Sequence, residues 1–320
     1  MPTLRQLRYL EALIRHRHFT RAAEECAISQ PALSQQIRDL EAELGAALVE
    51  RTASEARPTA LGLDMAERAR DVLARVSEMV EVARHGGRVL AGPLRLGMIP
   101  SVAPYLLPRL LPRLGADYPQ AALELRESLT AALVQDVAEG RLDAAVIALP
   151  SGRADLAALT IGDDRFLLAV PRGRAAAFSG TARPTIATLV EQEHLLLLEE
   201  GHCLRDQTLA LCGTAAPRLR QSLGATSLTT VLRLVGAGYG VTLLPELSVP
   251  VEGGADPAIA ILRLAEPEPV RTLGLVFRAS SPRRGDHEAL ASLLRAAMVA
   301  ASGRTEPCAV RRADAHRGGS

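Results

Sequence analysis

The chain has 320 residues, 48% hydrophobic and 23% charged, which suits a globular protein of two or three domains. All 37 of its basic residues are arginine and the net charge is +1, so bulk charge draws it to neither nucleic acid nor membrane, and any DNA binding must come from local placement. Four cysteines in this length exclude a disulfide-stapled scaffold, and no signal peptide or apolar run of about 18 residues is present, so the expectation is a cytoplasmic protein with no membrane partner.

Leu4, Leu7, Leu10, Leu13 and Ile14 recur at helical spacing, with Thr3 available as a cap. Phe19 to Cys26 reads as a short helix capped by Thr20, and Ala27-Ile28-Ser29 as a turn. A second helix follows from Gln30, with Ser29 as N-cap, Pro31 in its first turn and Gly45 as its stop. Two short helices joined by a tight turn match a helix-turn-helix. Burying Leu33, Ile37, Leu40 and Leu44 leaves Gln30, Ser34, Gln35 and Arg38 nearer the outer face, where their polar groups suit base edges and phosphates. The competing reading is a helical hairpin with a solvated polar face, since residues 1–60 hold eight arginines against eight acidic residues. Ala47 to Thr52 and Arg57-Pro58-Thr59 flank a turn-rich stretch and read as a two-stranded wing.

Phe19 to Ala23, Ser29-Gln30-Pro31-Ala32-Leu33-Ser34, Ile37, Leu40-Glu41, Leu44-Gly45, Leu48, Glu50-Arg51 and Thr59-Ala60-Leu61-Gly62 together carry a resemblance. In them the N-terminal segment resembles the LysR-type transcriptional regulators. That resemblance implies a winged helix-turn-helix over residues 1–60, with Gln30, Pro31, Ser34, Gln35 and Arg38 on the recognition helix and Arg51 as a phosphate or minor-groove contact. It also implies promoter DNA and RNA polymerase as partners, and a homo-oligomer built as a dimer of dimers. The wing tip, Ser54-Glu55-Ala56, departs from the pattern by being less basic.

Residues 61–90 read as a long amphipathic helix ending at Gly86-Gly87, the family's linker and dimerisation helix. After Gly92-Pro93 short apolar runs alternate with helices: Leu94 to Ile99, Ala144 to Leu149, Phe166 to Val170, Leu195 to Leu198, Val241 to Leu244 and Leu273 to Phe277. This is an α/β pattern. The chain leaves a first subdomain near Asp164 and returns to it near Val270. The resemblance makes residues 91–302 a two-lobed, periplasmic-binding-protein-like effector domain, with lobe I at about 91–164 and 270–302 and lobe II at about 165–269. Residues 303–320 read as a disordered tail to which no role is assigned, with Cys308 a bystander.

The chemistry concentrates in Gly201-His202-Cys203-Leu204-Arg205-Asp206-Gln207, with Cys212 further on. Cys203 follows an apolar run read as a buried strand, so it stands near a helix N-terminus between a histidine and an arginine. Such neighbours favour the thiolate, the reactive form. A cysteine pair in a reducing compartment is catalytic, metal-binding or redox-sensing more often than structural, and metal is the weakest of these because there is no CxxC and one nearby histidine. Were 203–212 one helix, the two side chains would lie about 13 Å apart along its axis on opposite faces, whereas a disulfide needs Cα atoms within about 7 Å. The pair bonds only if the segment is not helical, or ceases to be when oxidised.

With Ile99-Pro100, Pro104 to Pro108, Ala225 to Leu228 and Thr242 to Pro245, the cysteine motif resembles the peroxide-sensing members of the family. What this implies is a reversible Cys203–Cys212 disulfide, Cys203 being the residue that meets peroxide and Cys212 its resolving partner, with glutaredoxin or thioredoxin as reductant. The implied peroxide pocket holds Ser101, Thr130, His202 and Arg205, with no cofactor and no metal; Ser101 stands where those members usually have threonine. Two other readings remain open: a LysR-type regulator sensing a small metabolite between the lobes, with incidental cysteines, and a thiol peroxidase, against which the helix-turn-helix and the lack of a second-substrate site argue.

Overall fold

The structure is a computed structural model that describes residues 1–51, 56–85, 88–178, 183–212, 218–219, 225–253 and 256–301. The head is three helices, α1 (Leu4–His16), α2 (Phe19–Glu25) and α3 (Gln30–Leu44), followed by the antiparallel hairpin β1 (Val49–Arg51) and β2 (Ala56–Pro58). Thr3 and Gln6 form a capping box on α1, and Ser29 caps α3. Each such cap is worth roughly 1 kcal/mol. The cap expected at Thr20 is absent: α2 begins one residue earlier with His18 as an N-cap that makes no side-chain bond, and Thr20 is exposed within the first turn.

Leu10, Leu13, Leu33, Ile37, Leu40 and Leu48 form the head's core. The buried stripe of α3 stops at Leu40, and Leu44 is exposed. Glu41 reaches from α3 to accept from the Leu48 and Val49 amides at 2.8 and 3.1 Å, which fixes the wing to the recognition helix. Thr59 donates to the Ala47 carbonyl and accepts from the Gly62 amide. A Cβ at Gly62 would lie 2.0 Å from the Leu48 carbonyl oxygen, so the start of the next helix can approach the wing this closely only as glycine.

That helix, α4 (Ala60–His85), runs from the head to the effector domain and leaves Leu61, Leu63, Val72, Met79 and Val80 exposed. Arg70 of the same helix pairs with Glu139 of the effector domain at 3.0 Å. The chain enters that domain through Leu90, which is buried, left-handed in backbone (φ 51°), and held by a bond from its amide to Asp286.

The effector domain follows in the order β3 (Gly92–Met98), α5 (Ala103–Asp117), β4 (Ala121–Glu127), α6 (Thr130–Ala138), β5 (Ala144–Ala148) and β6 (Leu156–Pro171). Next come α7 (Ala175–Phe178), α8 (Ile186–Gln192), β7 (His194–Leu195), α9 (Cys203–Cys212), β8 (Arg218–Leu219), α10 (Leu228–Gly236) and β9 (Thr242–Pro245). The domain ends with α11 (Val249–Glu252), β10 (Ile259–Leu262), β11 (Val270–Arg278) and α12 (Arg284–Ala301). The main sheet has the order β10-β6-β11-β5-β3-β4, with β9 also on β6. β3 is parallel to β4 and β5, whereas β11 is antiparallel to β5 and β6.

The long strand β6 organises the two lobes. From Leu156 to Arg165 its partner is β11, while from Phe166 to Pro171 its partners are β9 and β10. The apolar run Leu195 to Leu198 is buried as expected, but only His194 and Leu195 are in a strand. Beyond them the chain is extended without a ladder, tied by the Leu196 amide to the Val241 carbonyl and by Thr242 Oγ1 to the Leu196 carbonyl. This segment delivers the chain to α9. Among the described residues no helix is long and apolar enough to cross a membrane. The tail with Cys308 and wing-tip residues 54 and 55 lie outside the described residues.

Candidate functional site

α9 is one continuous helix that begins at Cys203 and ends at Cys212. It follows Gly201, whose φ of +91° strains any other residue and where a Cβ would stand a tight 3.0 Å from Leu129 Cδ1. Cys203 is half-buried and unbonded to another cysteine, while Cys212 is buried. The Cys212 thiol donates to the Thr208 carbonyl at 3.2 Å, and Thr208 Oγ1 donates to the Leu204 carbonyl at 2.8 Å. Burial alone pushes the Cys212 thiol's pKa up. In this state Cys212 is therefore a protonated core side chain facing away from Cys203.

Cys203 opens onto a cavity of about 10 Å³ lined by Ile99, Pro100, Ser101, Leu129, Thr130, Leu198, His202, Cys203 and Leu204. That volume holds about one water-sized molecule. Three loop-to-helix junctions meet there: β3 to α5 brings Ser101, the start of α6 brings Thr130, and the start of α9 brings His202 and Cys203. Thr130 Oγ1 is buried with no hydrogen-bond partner among the described residues. A buried hydroxyl with uncommitted donor and acceptors, facing a cavity this small, is what a small polar ligand would satisfy.

Four of the residues named from sequence are thus together: Ser101, Thr130, His202 and Cys203. Arg205 is not with them. It points to the other side of α9, donating to the Leu198 carbonyl at 3.1 Å and lining a separate small apolar cavity with Thr208, Leu228 and Val231. The reason is helical rotation, which turns a residue two positions after Cys203 away from its face by about 200°.

Two further polar residues were given no role from sequence. Gln207 lies one turn after Cys203 on α9, and its Oε1 is buried with no hydrogen-bond partner among the described residues; the i, i+4 spacing was the available signal. The other is Arg271 on β11, buried to 5% exposure, which donates to Ser101 Oγ at 2.8 Å and to the Ser101 carbonyl at 3.1 Å. A wider cleft of about 510 Å³ lies elsewhere, between α4 and lobe I, and mixed arginine and carboxylate side chains line it. It shares no lining residue with the Cys203 cavity. Among the described residues no cluster of His, Cys, Asp or Glu could hold a metal.

On the head, Gln30, Pro31, Gln35 and Arg38 are exposed on α3. Ser34 is not: it is buried beneath the Arg38 guanidinium, which donates to Ser34 Oγ at 3.2 Å and to Gln35 Oε1 at 2.6 Å. Packing of α3 on α1 and α2 takes this small side chain into the core edge. Arg51 ends β1, and its side chain lies outside the described residues.

A winged helix-turn-helix, a long linking helix and a two-lobed α/β domain define a LysR-type regulator. Residues 4–63 match the bacterial regulatory helix-turn-helix proteins of the lysR family, and residues 87–299 match the LysR substrate binding domain. The chain belongs to the LysR family. It is 41% identical over 295 residues to the DNA-binding transcriptional dual regulator OxyR of Escherichia coli K12, spanning 92% of this chain and 95% of that protein. It is 42% identical over 292 residues to a hydrogen peroxide-inducible genes activator of Pectobacterium carotovorum, spanning 91% and 95%. Among solved structures, a full-length OxyR cysteine-to-aspartate variant of Pseudomonas aeruginosa superposes with a TM-score of 0.73 at 36% identity, over 92% of this chain and 94% of that one.

Proposed function

We propose that this protein is a transcriptional regulator that senses hydrogen peroxide through a reversible Cys203–Cys212 disulfide. The observation that carries the reading is the cavity itself: a half-buried thiol, two hydroxyls and a histidine around space for about one small molecule, with a second thiol held apart on the same helix. A cavity of about 10 Å³ suits a molecule of peroxide's size rather than a metabolite at this position. The names of the relatives, a hydrogen peroxide-inducible genes activator and OxyR, support the same reading.

The Cys203 thiolate attacks one peroxide oxygen; the S–O bond forms, the O–O bond breaks, and hydroxide departs and takes up a proton to become water. The sulfenic acid left on Cys203 is then attacked by the Cys212 sulfur. The S–S bond forms, and the sulfenic oxygen leaves as water with the Cys212 proton. Because α9 holds the sulfurs on opposite faces, the second step requires the helix to come apart. A dithiol reductant, glutaredoxin or thioredoxin, returns two electrons and restores the helix. The output is carried to promoter DNA and RNA polymerase by the head of a dimer of dimers, and the exposed apolar stripe of α4 supports pairing of two copies.

The test is a brief, low dose of peroxide followed by non-reducing peptide mapping, with transcription and a footprint measured in parallel. A 203–212 linked peptide is expected, and Cys203→Ser should abolish the peroxide response while leaving DNA binding intact. An unchanged response in Cys203→Ser, or no linked peptide, overturns the reading. Sustained peroxide consumption at enzyme-like rates with a thiol reductant would favour a peroxidase instead.

A further inference from the structure

The geometry points to Asp164 as a positioning residue for the reaction at Cys203, acting through Arg271 on the Ser101 hydroxyl. The inference rests on the peroxide reading above and deepens it. Asp164 and Arg271 are direct cross-strand partners on β6 and β11, 2% and 5% exposed. Arg271 Nε and Nη2 both donate to Asp164 Oδ2, at 3.0 and 2.9 Å, and the other carboxylate oxygen accepts from the Leu247 amide at 2.9 Å. The guanidinium is thereby locked in one orientation, and the edge left over faces Ser101: Nη1 donates to Ser101 Oγ at 2.8 Å and Nη2 to the Ser101 carbonyl at 3.1 Å.

A serine hydroxyl has one proton and two lone pairs. Arg271 carries no acceptor, so toward Arg271 the Ser101 oxygen can only accept. Its proton must turn to another side, and Ser101 also lines the cavity that holds Cys203, His202 and Thr130. The buried ion pair, far from the sulfur in sequence, thus bars the hydroxyl proton from one side and leaves the cavity side open to it. When Cys203 attacks peroxide, negative charge gathers on the departing oxygen, and a pre-aimed O–H stabilises it without reorganising. Ser101 donates a hydrogen bond and keeps its proton. Without the carboxylate the guanidinium is buried and unpaired, must seek other acceptors, and the hydroxyl is free to rotate.

The experiment uses the reduced full-length protein in a Cys212→Ala background, so that the sulfenic acid persists for trapping by a cyclic 1,3-diketone. Two rates are measured at Cys203: oxidation by hydrogen peroxide, and alkylation by iodoacetamide, which reports thiol access but breaks no O–O bond. Ser101→Ala, which removes a donor to the departing oxygen, should slow oxidation about a hundredfold; Asp164→Asn, which keeps an acceptor for Leu247, should slow it by up to that factor, and the double variant should be no slower than Ser101→Ala alone. Alkylation should be unchanged throughout. Asp164→Glu should restore most of the oxidation rate, and it stands in as the test, with a shift of a few-fold, if Asp164→Asn does not fold. Additive losses in the double variant, an equal slowing of alkylation, or an unchanged oxidation rate in Asp164→Asn overturns the proposal. If the parent protein is alkylated at Cys203 but not oxidised there by peroxide, it is the peroxide reading that fails.

Discussion

Cys203 and Cys212 are the first and last residues of one helix, and the hydrogen bonds that complete the helix's buried side, from Thr208 to Leu204 and from Cys212 to Thr208, lie between them. The disulfide and the helix are therefore mutually exclusive states of the same ten residues. On oxidation, amide protons over residues 203–212 should lose their protection from hydrogen exchange while those of β3, β5 and β11 keep theirs. Retained protection in a protein shown to carry the bond would disprove the exclusion.

If closing the bond requires opening α9, the opening equilibrium should govern its rate. Ala210 is exposed in the last turns of the helix. Ala210→Gly should weaken the helix by about 1 kcal/mol and speed disulfide closure roughly fivefold, with sulfenic acid formation at Cys203 unaffected. Rapid-quench mapping separates the two steps.

Burial raises the pKa of the Cys212 thiol in the folded state. The folded protein then holds this proton to higher pH than the unfolded chain, whose thiol titrates near 8.5. The stabilising contribution is complete below the unfolded value and is lost as pH rises past it toward the folded one. Two outcomes are expected: Cys212 in the reduced protein should alkylate far more slowly than Cys203 at pH 8, and Cys212→Ala should flatten the loss of melting temperature above that pH.

His287 shows the opposite sign. It is fully buried, stacked on Phe277 at 4.2 Å, with Nε2 3.1 Å from Ser281 Oγ, and burial lowers its pKa to about 4. The unfolded imidazole titrates near 6.5, so the stability held above that pH should drain away as pH falls from about 6.5 to 4, by roughly 3 kcal/mol in all. Thermal melts between pH 7 and 4 should show this loss, and His287→Leu should remove that part of the pH dependence.

On the head, Arg38 and Gln35 are presented and Ser34 is covered. Arg38→Ala should cost about 1–3 kcal/mol in operator affinity, whereas Ser34→Ala should cost clearly less. Mobility-shift titrations at fixed salt compare them, and a Ser34→Ala loss equal to that of Arg38→Ala would mean that α3 rearranges on DNA.

The head was legible because its signals are local. Thr3, Ser29 and Gly45 terminate helices through bonds spanning three or four residues, and the sequence prints both ends of each. Thr20 misled for the same reason: a good capping residue stands one position inside a helix that Phe19 already begins. In the effector domain β4 escaped notice because Ala121 to Glu127 mixes Leu with Glu and Arg on a sheet edge, and β10 because it is four residues long. The early half of β6 was missed because Asp163, Asp164 and Arg165 interrupt its apolar pattern, and only Phe166 to Val170 read as a strand. At the site, Cys203, His202 and Cys212 share one segment and are visible together. Arg271 and Asp164 are 107 residues apart and meet only through strand register, which no short-range pattern encodes. Arg205 was placed by nearness in sequence, where helical phase decides.

The continuity of β6 through both lobes limits how the domain can move. A strand whose partners change between Arg165 and Phe166 can bend or twist at that point, but it cannot let one lobe slide along the other. Any displacement of the second lobe must then be a rotation, and a rotation moves atoms in proportion to their distance from the axis. Asp164, Arg271 and Ser101 stand close to that axis and travel least. The lever arm belongs to the far surface of the second lobe, which moves most in any such rotation.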